Sequence, residues 1–433
     1  MPANIAGILP LFALIDLTNA EQTLHWYQLS GRSMMWNWVI TPACARLLLS
    51  HDRTRACCLD QYGAVTPLNC IDGRWGDAYP CSSPRTIRAC MGVAALKEID
   101  DLPRPDGGGD RPQRLRIILV SSVESIKKKG LLGARMTTSW WYWAIVSLSG
   151  WVVFLAVLVT TVLAELYIAA SYLVVLLLTG VVIRESYGHR ARKITEQEQN
   201  PYRRLVVAAD NFNGGEWTAF IGPSWLVSPL LNRPLNQKDQ PTYPRLLQCL
   251  LCILVAFQWG LTITACGCQD WNAFVVFAWI VLCALTSSFL YGEHASAKSW
   301  LKSNKLRLER KEVELSCRRS MLSLLVALNA TTSSKSPSST TPPSTTPPST
   351  TMSSTTTLST APPGTTALSP TPPGTGKTTS TRWIDPILAP SGDRTAWEVA
   401  LQGCLEKEQW KERIQECLVS GLLFSSPLLR SRY

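Results

Sequence analysis

Histidine is scarce in this 433-residue chain. Only His25, His51, His189 and His294 are present, and no two have the spacing of metal ligands or of a catalytic triad. No basic residue precedes the short apolar run at residues 5–15, which Pro10 interrupts and Asp16 closes, so a cleavable secretory signal is not expected. No Cys-x-x-Cys pair occurs among Cys44, Cys57, Cys58, Cys70, Cys81 and Cys90, which removes the usual zinc-module signature. The net charge of +11 comes without an RNA- or DNA-binding motif, so no nucleic-acid partner is expected.

Charge itself is missing from two long stretches. Residues 140–183 contain only Glu165, and residues 246–291 contain only Asp270. About 20 apolar residues cross a bilayer as a helix, so each stretch is long enough for two crossings and a tight turn. Lipid offers no hydrogen bonds to a peptide group, which makes helices the expected form. The spans are placed at 140–163, 166–183, 246–265 and 271–291. Trp140, Trp141, Tyr142, Trp143, Trp271 and Tyr291 fall at span ends, where amphipathic rings prefer the headgroup layer.

Basic residues set the expected orientation. Arg111, Arg114, Arg116, Lys127, Lys128, Lys129 and Arg135 precede the first span, and Arg184, Arg190, Arg192 and Lys193 follow the second. Lys238 and Arg245 precede the third, and Lys298, Lys302, Lys305, Arg307, Arg310 and Lys311 follow the fourth; neither hairpin turn carries Lys or Arg. Cationic flanks stay in the cytosol, so both hairpins should enter from that side and both termini should lie there. The expected partners are therefore the lipid bilayer and its anionic lipids.

The expected fold class is a mainly α-helical membrane protein with four transmembrane helices in two hairpins, in the plasma membrane or an endomembrane. The domain plan has a cysteine-containing amino-terminal region (1–102), a linker and basic flank (103–139), hairpin one (140–183), a cytosolic segment with a β-hairpin (184–245) and hairpin two (246–291). A basic juxtamembrane helix (292–330), a disordered Ser/Thr/Pro-rich tract (331–382) and carboxy-terminal amphipathic helices (383–433) complete it. The six amino-terminal cysteines are expected to be reduced thiols in the cytosol. Residues 205–209 and 216–221 flank an Asn213-Gly214 turn and read as a β-hairpin that must pack on something larger. Packing is also the expected use of Trp217, Phe220 and Trp225.

Leu301, Leu308, Leu315 and Leu322 recur every seven residues, but Asn304, Lys311 and Arg318 occupy the companion positions, so a solvated basic helix to about residue 328 is expected instead of a coiled coil. The Ser/Thr/Pro-rich tract lacks apolar residues to bury and reads as a disordered tether. Inside it, residues 372–378 (PPGTGKT) imitate a nucleotide-binding loop. Thr371 stands where that loop needs glycine, no strand or helix flanks it, and no cofactor is expected. Thr395 and Glu398 have capping-box spacing at the start of an amphipathic helix, and a second such helix is expected around residues 414–422.

Residues 62–90 (YGAVTPLNCIDGRWGDAYPCSSPRTIRAC), 205–235 (LVVAADNFNGGEWTAFIGPSWLVSPLLNRPL) and 383–401 (WIDPILAPSGDRTAWEVAL) resemble segments of uncharacterised multi-pass membrane proteins of filamentous fungi. That resemblance covers about a third of the chain and implies no activity, cofactor or site residue.

Away from their ends the spans offer Gln258 and hydroxyls such as Thr160, Thr161, Thr179, Thr262 and Thr264, too few for an evident substrate path. With no catalytic or metal-binding residues expected, the reading is a membrane-embedded interaction or scaffold protein, with protein partners or a homo-oligomer. The alternatives are a transporter or channel subunit acting as an oligomer and, in an inverted topology, a cell-surface protein with an O-glycosylated stalk. Cys249, Cys252 and Cys317 are candidate acylation sites. Asn329 begins an Asn-Ala-Thr sequon that matters only in the inverted topology.

Overall fold

The computed structural model of the chain describes residues 8–96, 113–123, 138–333 and 381–405, apart from short gaps at 18, 33, 50–56, 63–65, 188–190, 196–197, 199, 201, 234, 236–242, 269 and 316. In chain order the elements begin with α1 (Leu9–Phe12), which continues as a π turn at Ala13–Leu17, then α2 (Ala20–Ser30), α3 (Pro42–Leu49) and α4 (Cys58–Tyr62). There follow β1 (Asn69–Asp72), β2 (Ala78–Pro80), α5 (Pro84–Val93), β3 (Ala95–Leu96) and β4 (Gln113–Ser122). The long helices α6 (Thr138–Leu163) and α7 (Tyr167–Tyr187) precede β5 (Arg203–Ala209), β6 (Glu216–Pro223) and α8 (Ser224–Leu231). After α9 (Pro244–Cys268) and α10 (Trp271–Leu290) come α11 (Glu293–Ser303), β7 (Leu306–Leu315), α12 (Arg318–Ser333), a 3₁₀ turn at Arg382–Ile384 and α13 (Gly392–Leu405).

Four helices, α6, α7, α9 and α10, are long and apolar enough to cross a membrane, and they coincide with the expected spans. Their outward sides expose Ile145, Leu148, Val152, Leu155, Val174, Leu178, Ile253, Phe257, Leu285 and Phe289. So broad an apolar belt is unstable in water and stable in lipid. Only Ala164, Glu165 and Leu166 join α6 to α7. The Leu166 N–H reaches back to Thr161 O (2.8 Å) and the Glu165 N–H to Val162 O (3.2 Å). Glu165 takes the left-handed conformation (φ 59°), which closes the helix end and reverses the chain at once.

Beside these helices the chain builds a larger sheet than the one expected β-hairpin. A seven-stranded mixed sheet runs in the order β2-β1-β5-β6-β4-β7-β3. The expected β-hairpin is present: β5 and β6 are antiparallel, with Val206 opposite Phe220 and Ala208 opposite Thr218. It is not isolated, because β1 pairs along β5 and β4 runs parallel to β6. Residues 306–315, expected to continue a basic helix, instead form β7, antiparallel to the whole of β4. Lys305 in the left-handed region (φ 55°) ends α11 and explains the break. In a strand, residues seven apart face opposite ways, and Leu308 and Leu315 do so: Leu308 joins the helix-side core and Leu315 the core behind the sheet.

Both faces of the sheet are covered. Val206, Ala208, Phe220, Ile118 and Val120 pack into a core shared with α2, α5, α11 and the long helices. Leu205, Val207, Leu115, Ile117, Trp217, Ala219 and Ile221 face the other way, onto Met321, Leu322, Leu325 and Val326 of α12. Trp217 and Phe220 are thus buried on opposite faces, and Trp225 packs on the helix-side core. Residues 383–387 and α13 lie against α12, where Trp397 donates its indole N–H to Ser323 (3.0 Å). That helix starts before the expected capping box: Ser391 Oγ accepts the Arg394 N–H (3.2 Å), and Glu398 binds the Arg394 guanidinium. The described residues of 8–96 contribute to one core together with both hairpins and the sheet. The tract from 334 to 380, the nucleotide-loop imitation within it, the 103–112 linker and the helix expected at 414–422 lie outside the described residues.

Candidate functional site

Two features built from the amino-terminal region hold the chemistry that the sequence reading did not find. The first lies among the four long helices. Residues 34–40 (MMWNWVI) leave the end of α2 and enter the bundle without regular secondary structure. Tyr291, at the sheet end of α10, donates its hydroxyl to Arg32 O (3.0 Å), and the Cys283 thiol approaches Trp36 O. Those anchors are eight residues apart, so the segment descends about 12 Å along α10.

Apolar surroundings tolerate irregular backbone only where its polar groups are satisfied. Gln258 of α9 does this with both ends of one amide. Its Oε1 accepts the Ile40 N–H (3.1 Å) and its Nε2 donates to Trp38 O (2.9 Å). Trp259 donates its indole N–H to Ile40 O (2.9 Å), and Asn37 donates its amide to Ser287 of α10 (3.0 Å). Small residues on the other two helices make room: a Cβ on Gly150 of α6 would collide with the Trp36 indole, and one on Gly180 of α7 with Met35 O. Trp36 and Phe154 both meet the Trp279 ring edge-on, at 6.2 and 5.4 Å between centroids.

The π turn ahead of α2 also packs on α10, and the Leu11 backbone lies against the Cys266 thiol near the α9–α10 turn. Residue 11 therefore sits near the α9–α10 turn, at the end of the bundle away from the sheet. Ile8, Leu11, Phe12 and Ile15 continue the exposed apolar belt there.

The second feature is a polar cluster beside the sheet. Glu21, His25 and Gln28 recur along one side of α2, facing residues 57–60. Gln28 Oε1 accepts the Cys58 N–H (2.9 Å), and the Cys58 thiol points at Glu21 O (3.8 Å). Asp60 caps α5 from outside: Oδ1 accepts the N–H groups of Arg85 (2.8 Å) and Thr86 (3.2 Å), and Oδ2 the Thr86 hydroxyl (2.8 Å). Since that hydroxyl proton is committed to Asp60, Thr86 Oγ receives the N–H of His25 Nε2 at 3.3 Å. His25 Nδ1 is buried without a hydrogen-bond partner.

A ring nitrogen of His25, Cys57 Sγ and an Asp60 oxygen all lie within 4.8 Å of one another. Burial, with the Arg85 and Arg192 guanidiniums nearby, holds His25 down to about 3, so the ring is neutral at physiological pH. Burial also raises Asp60 to about 6, against the hydrogen bonds from Thr86 and Arg85, and pushes the Cys57 thiol up to about 12. Arg192 is itself buried, hydrogen-bonds Cys57 and donates to Leu235 O (3.4 Å). His25 and Cys57 are 32 positions apart and belong to no ligand-spacing motif. The one signal available was a histidine flanked by Glu21 and Gln28 at helical spacing.

The residues singled out from sequence lie elsewhere. Cys249 and Cys252 are exposed on the outward side of α9. Cys317 lies between β7 and α12, its thiol 3.1 Å from Ser320 Oγ, on the far face of the sheet from α9. Asn329, in α12, donates its side-chain amide to Gly73 O (2.6 Å). His294 is described but outside the cluster, whereas His51 and His189 fall outside the described residues. The six amino-terminal cysteines are buried free thiols. Comparison with known proteins gave no matching family model, no similar curated protein and no similar solved structure.

Proposed function

We propose that the protein is a membrane-embedded interaction or scaffold protein that carries its sheet on four membrane-spanning helices. The observation that supports this reading is the filled bundle. Where a transporter would need a polar path between its helices, Trp36, Trp38, Phe154, Tyr172 and Trp279 are packed and buried. A bundle sealed by a segment continuous with the sheet's own core suits a rigid support. Strands from before the first hairpin, between the hairpins and after the second pair in one sheet, which favours a topology in which both hairpins return to the side they left. Arg184, Arg245, Lys298 and Lys302 favour the cytosolic, anionic-lipid side.

Purified protein reconstituted in liposomes tests this against the transporter or channel alternative. Ion and solute flux equal to that of protein-free vesicles is the expected result. Selective flux that depends on the protein overturns the scaffold reading.

Acylation belongs to the same reading. Cys249 and Cys252 face outward one and two turns beyond Arg245, within reach of acyltransferases at that membrane face. Cys317, on the far face of the sheet, should be modified least. Acyl-biotin exchange on wild type and on the Cys249→Ser/Cys252→Ser variant should give hydroxylamine-dependent label that the variant loses; unlabelled wild type removes the proposal.

A further inference from the structure

We infer that His25, Cys57 and Asp60 form a binding site for one zinc-like transition-metal ion, clamped between α2, the 57–62 segment and the start of α5. An imidazole nitrogen, a sulfur and a carboxylate oxygen converge from two parts of the chain to within 4.8 Å of one another. This donor set suits zinc and its neighbours, whereas calcium and magnesium require oxygen ligands throughout. A second, independent observation points the same way: His25 is fully buried and its Nδ1 lone pair meets no donor. A buried nitrogen acceptor left unpaired is destabilising, and a metal ion is one partner that removes that cost.

The surroundings resemble those that orient metal-bound histidines. A ligating imidazole normally donates its second N–H to an oxygen that is itself held in place. Here Nε2–H reaches Thr86 Oγ, and the Thr86 hydroxyl is anchored on Asp60. Zinc ligand atoms in a tetrahedral shell lie roughly 3.3–3.6 Å apart, given metal–ligand bonds of about 2.0–2.3 Å, so the cluster contracts by about an ångström when filled. Binding requires the thiolate: the Cys57 S–H bond gives its proton to solvent, and a metal–sulfur bond replaces it. The Cys57 and Asp60 anions then balance the two charges of the ion, and Arg192 donates to the thiolate rather than to a thiol. The fourth position is left to water. Because His25 and Cys57 are fully buried, the metal's role is to lock α2, and with it the 34–40 segment, onto the sheet.

Full-length protein purified in mild detergent without added metal provides the test. Stoichiometric zinc by mass spectrometry is expected after dialysis. After chelation and reloading with cobalt(II), thiolate-to-cobalt charge-transfer absorption should appear. Cys57→Ser should lose that band and His25→Gln should weaken metal retention, whereas Cys44→Ser and Cys90→Ser keep both. Chelation of wild type should lower its unfolding midpoint, a readout that needs no variant to fold. Wild type that binds neither zinc nor cobalt, or a cobalt–thiolate band that persists in Cys57→Ser, overturns the inference.

Discussion

Helical hairpins and sheet divide this molecule into a part made by neighbours and a part made by strangers. Three residues join α6 to α7, and each helix pairs its own N–H and C=O groups. In the sheet, Arg116 of β4 bonds Glu312 of β7 from 196 positions away, across both hairpins. The bundle is therefore specified stretch by stretch, while the sheet exists only if segments separated by membrane helices meet on one side. The 34–40 segment crosses that division: its sequence is as apolar as a span, yet its backbone is satisfied by side chains of α9 and α10, as a strand's would be by a partner.

The sharpest way to break the comparison is to empty or orphan that segment. Trp36→Ala removes a buried indole from the middle of the bundle and should cost about 3–5 kcal/mol. Gln258→Leu leaves Trp38 O and the Ile40 N–H unpaired and should cost about 2–4 kcal/mol. Both are read from the unfolding midpoint in mild detergent; an unchanged midpoint would mean the segment does not seal the bundle.

A comparable loss is expected within the sheet. Asp72 is fully buried, and Arg204, across the β1–β5 pair, is its ionic partner. Arg204→Met should destabilise by about 3 kcal/mol because it strands a buried carboxylate. Adding Asp72→Asn should recover most of that loss, and a double variant no better than the single would show that the pair is not the cause.

Smaller effects sharpen the sidedness of the sheet. Asn329→Ala removes the hydrogen bond to Gly73 O and should cost about 1 kcal/mol. Endoglycosidase should leave the mobility of wild type unchanged, because the sequon amide is engaged on the sheet. A glycan on Asn329 would put the sheet on the exterior face.

The smallest effect is expected from the longest deletion. Asn329 sits on Gly73, and Gly76 (φ 77°) packs against Trp383, so the described segments on either side of residues 334–380 meet the same β1–β2 turn. Replacing residues 334–380 with a short Gly/Ser linker should shift stability by less than about 1 kcal/mol. Loss of the 381–405 packing in that variant would show that the tract positions it.

Much of the bundle was legible in the primary structure. Charge-free stretches broken only by Glu165 and Asp270 fix the helices to within a few residues, because a peptide in lipid has one local way to satisfy itself. The β5–β6 hairpin was legible too, since its turn chemistry is local. The strand at 306–315 was not: its mixed charges fit a helix face as well as a strand, and Lys305, which ends α11, carries no signature of a left-handed residue. His25, Cys57 and Asp60 were invisible for a related reason, since no spacing rule links a histidine on one helix to a cysteine 32 residues later.

The sequence by itself determined the four apolar helices, their turns and the charge asymmetry around them, all properties of segments shorter than about 30 residues. Only the tertiary structure decided that β4 would find β7, that 34–40 would enter the bundle and that His25, Cys57 and Asp60 would meet at one point. Each of those outcomes depends on long-range pairs, whose closure becomes favourable only when the rest of the core has formed.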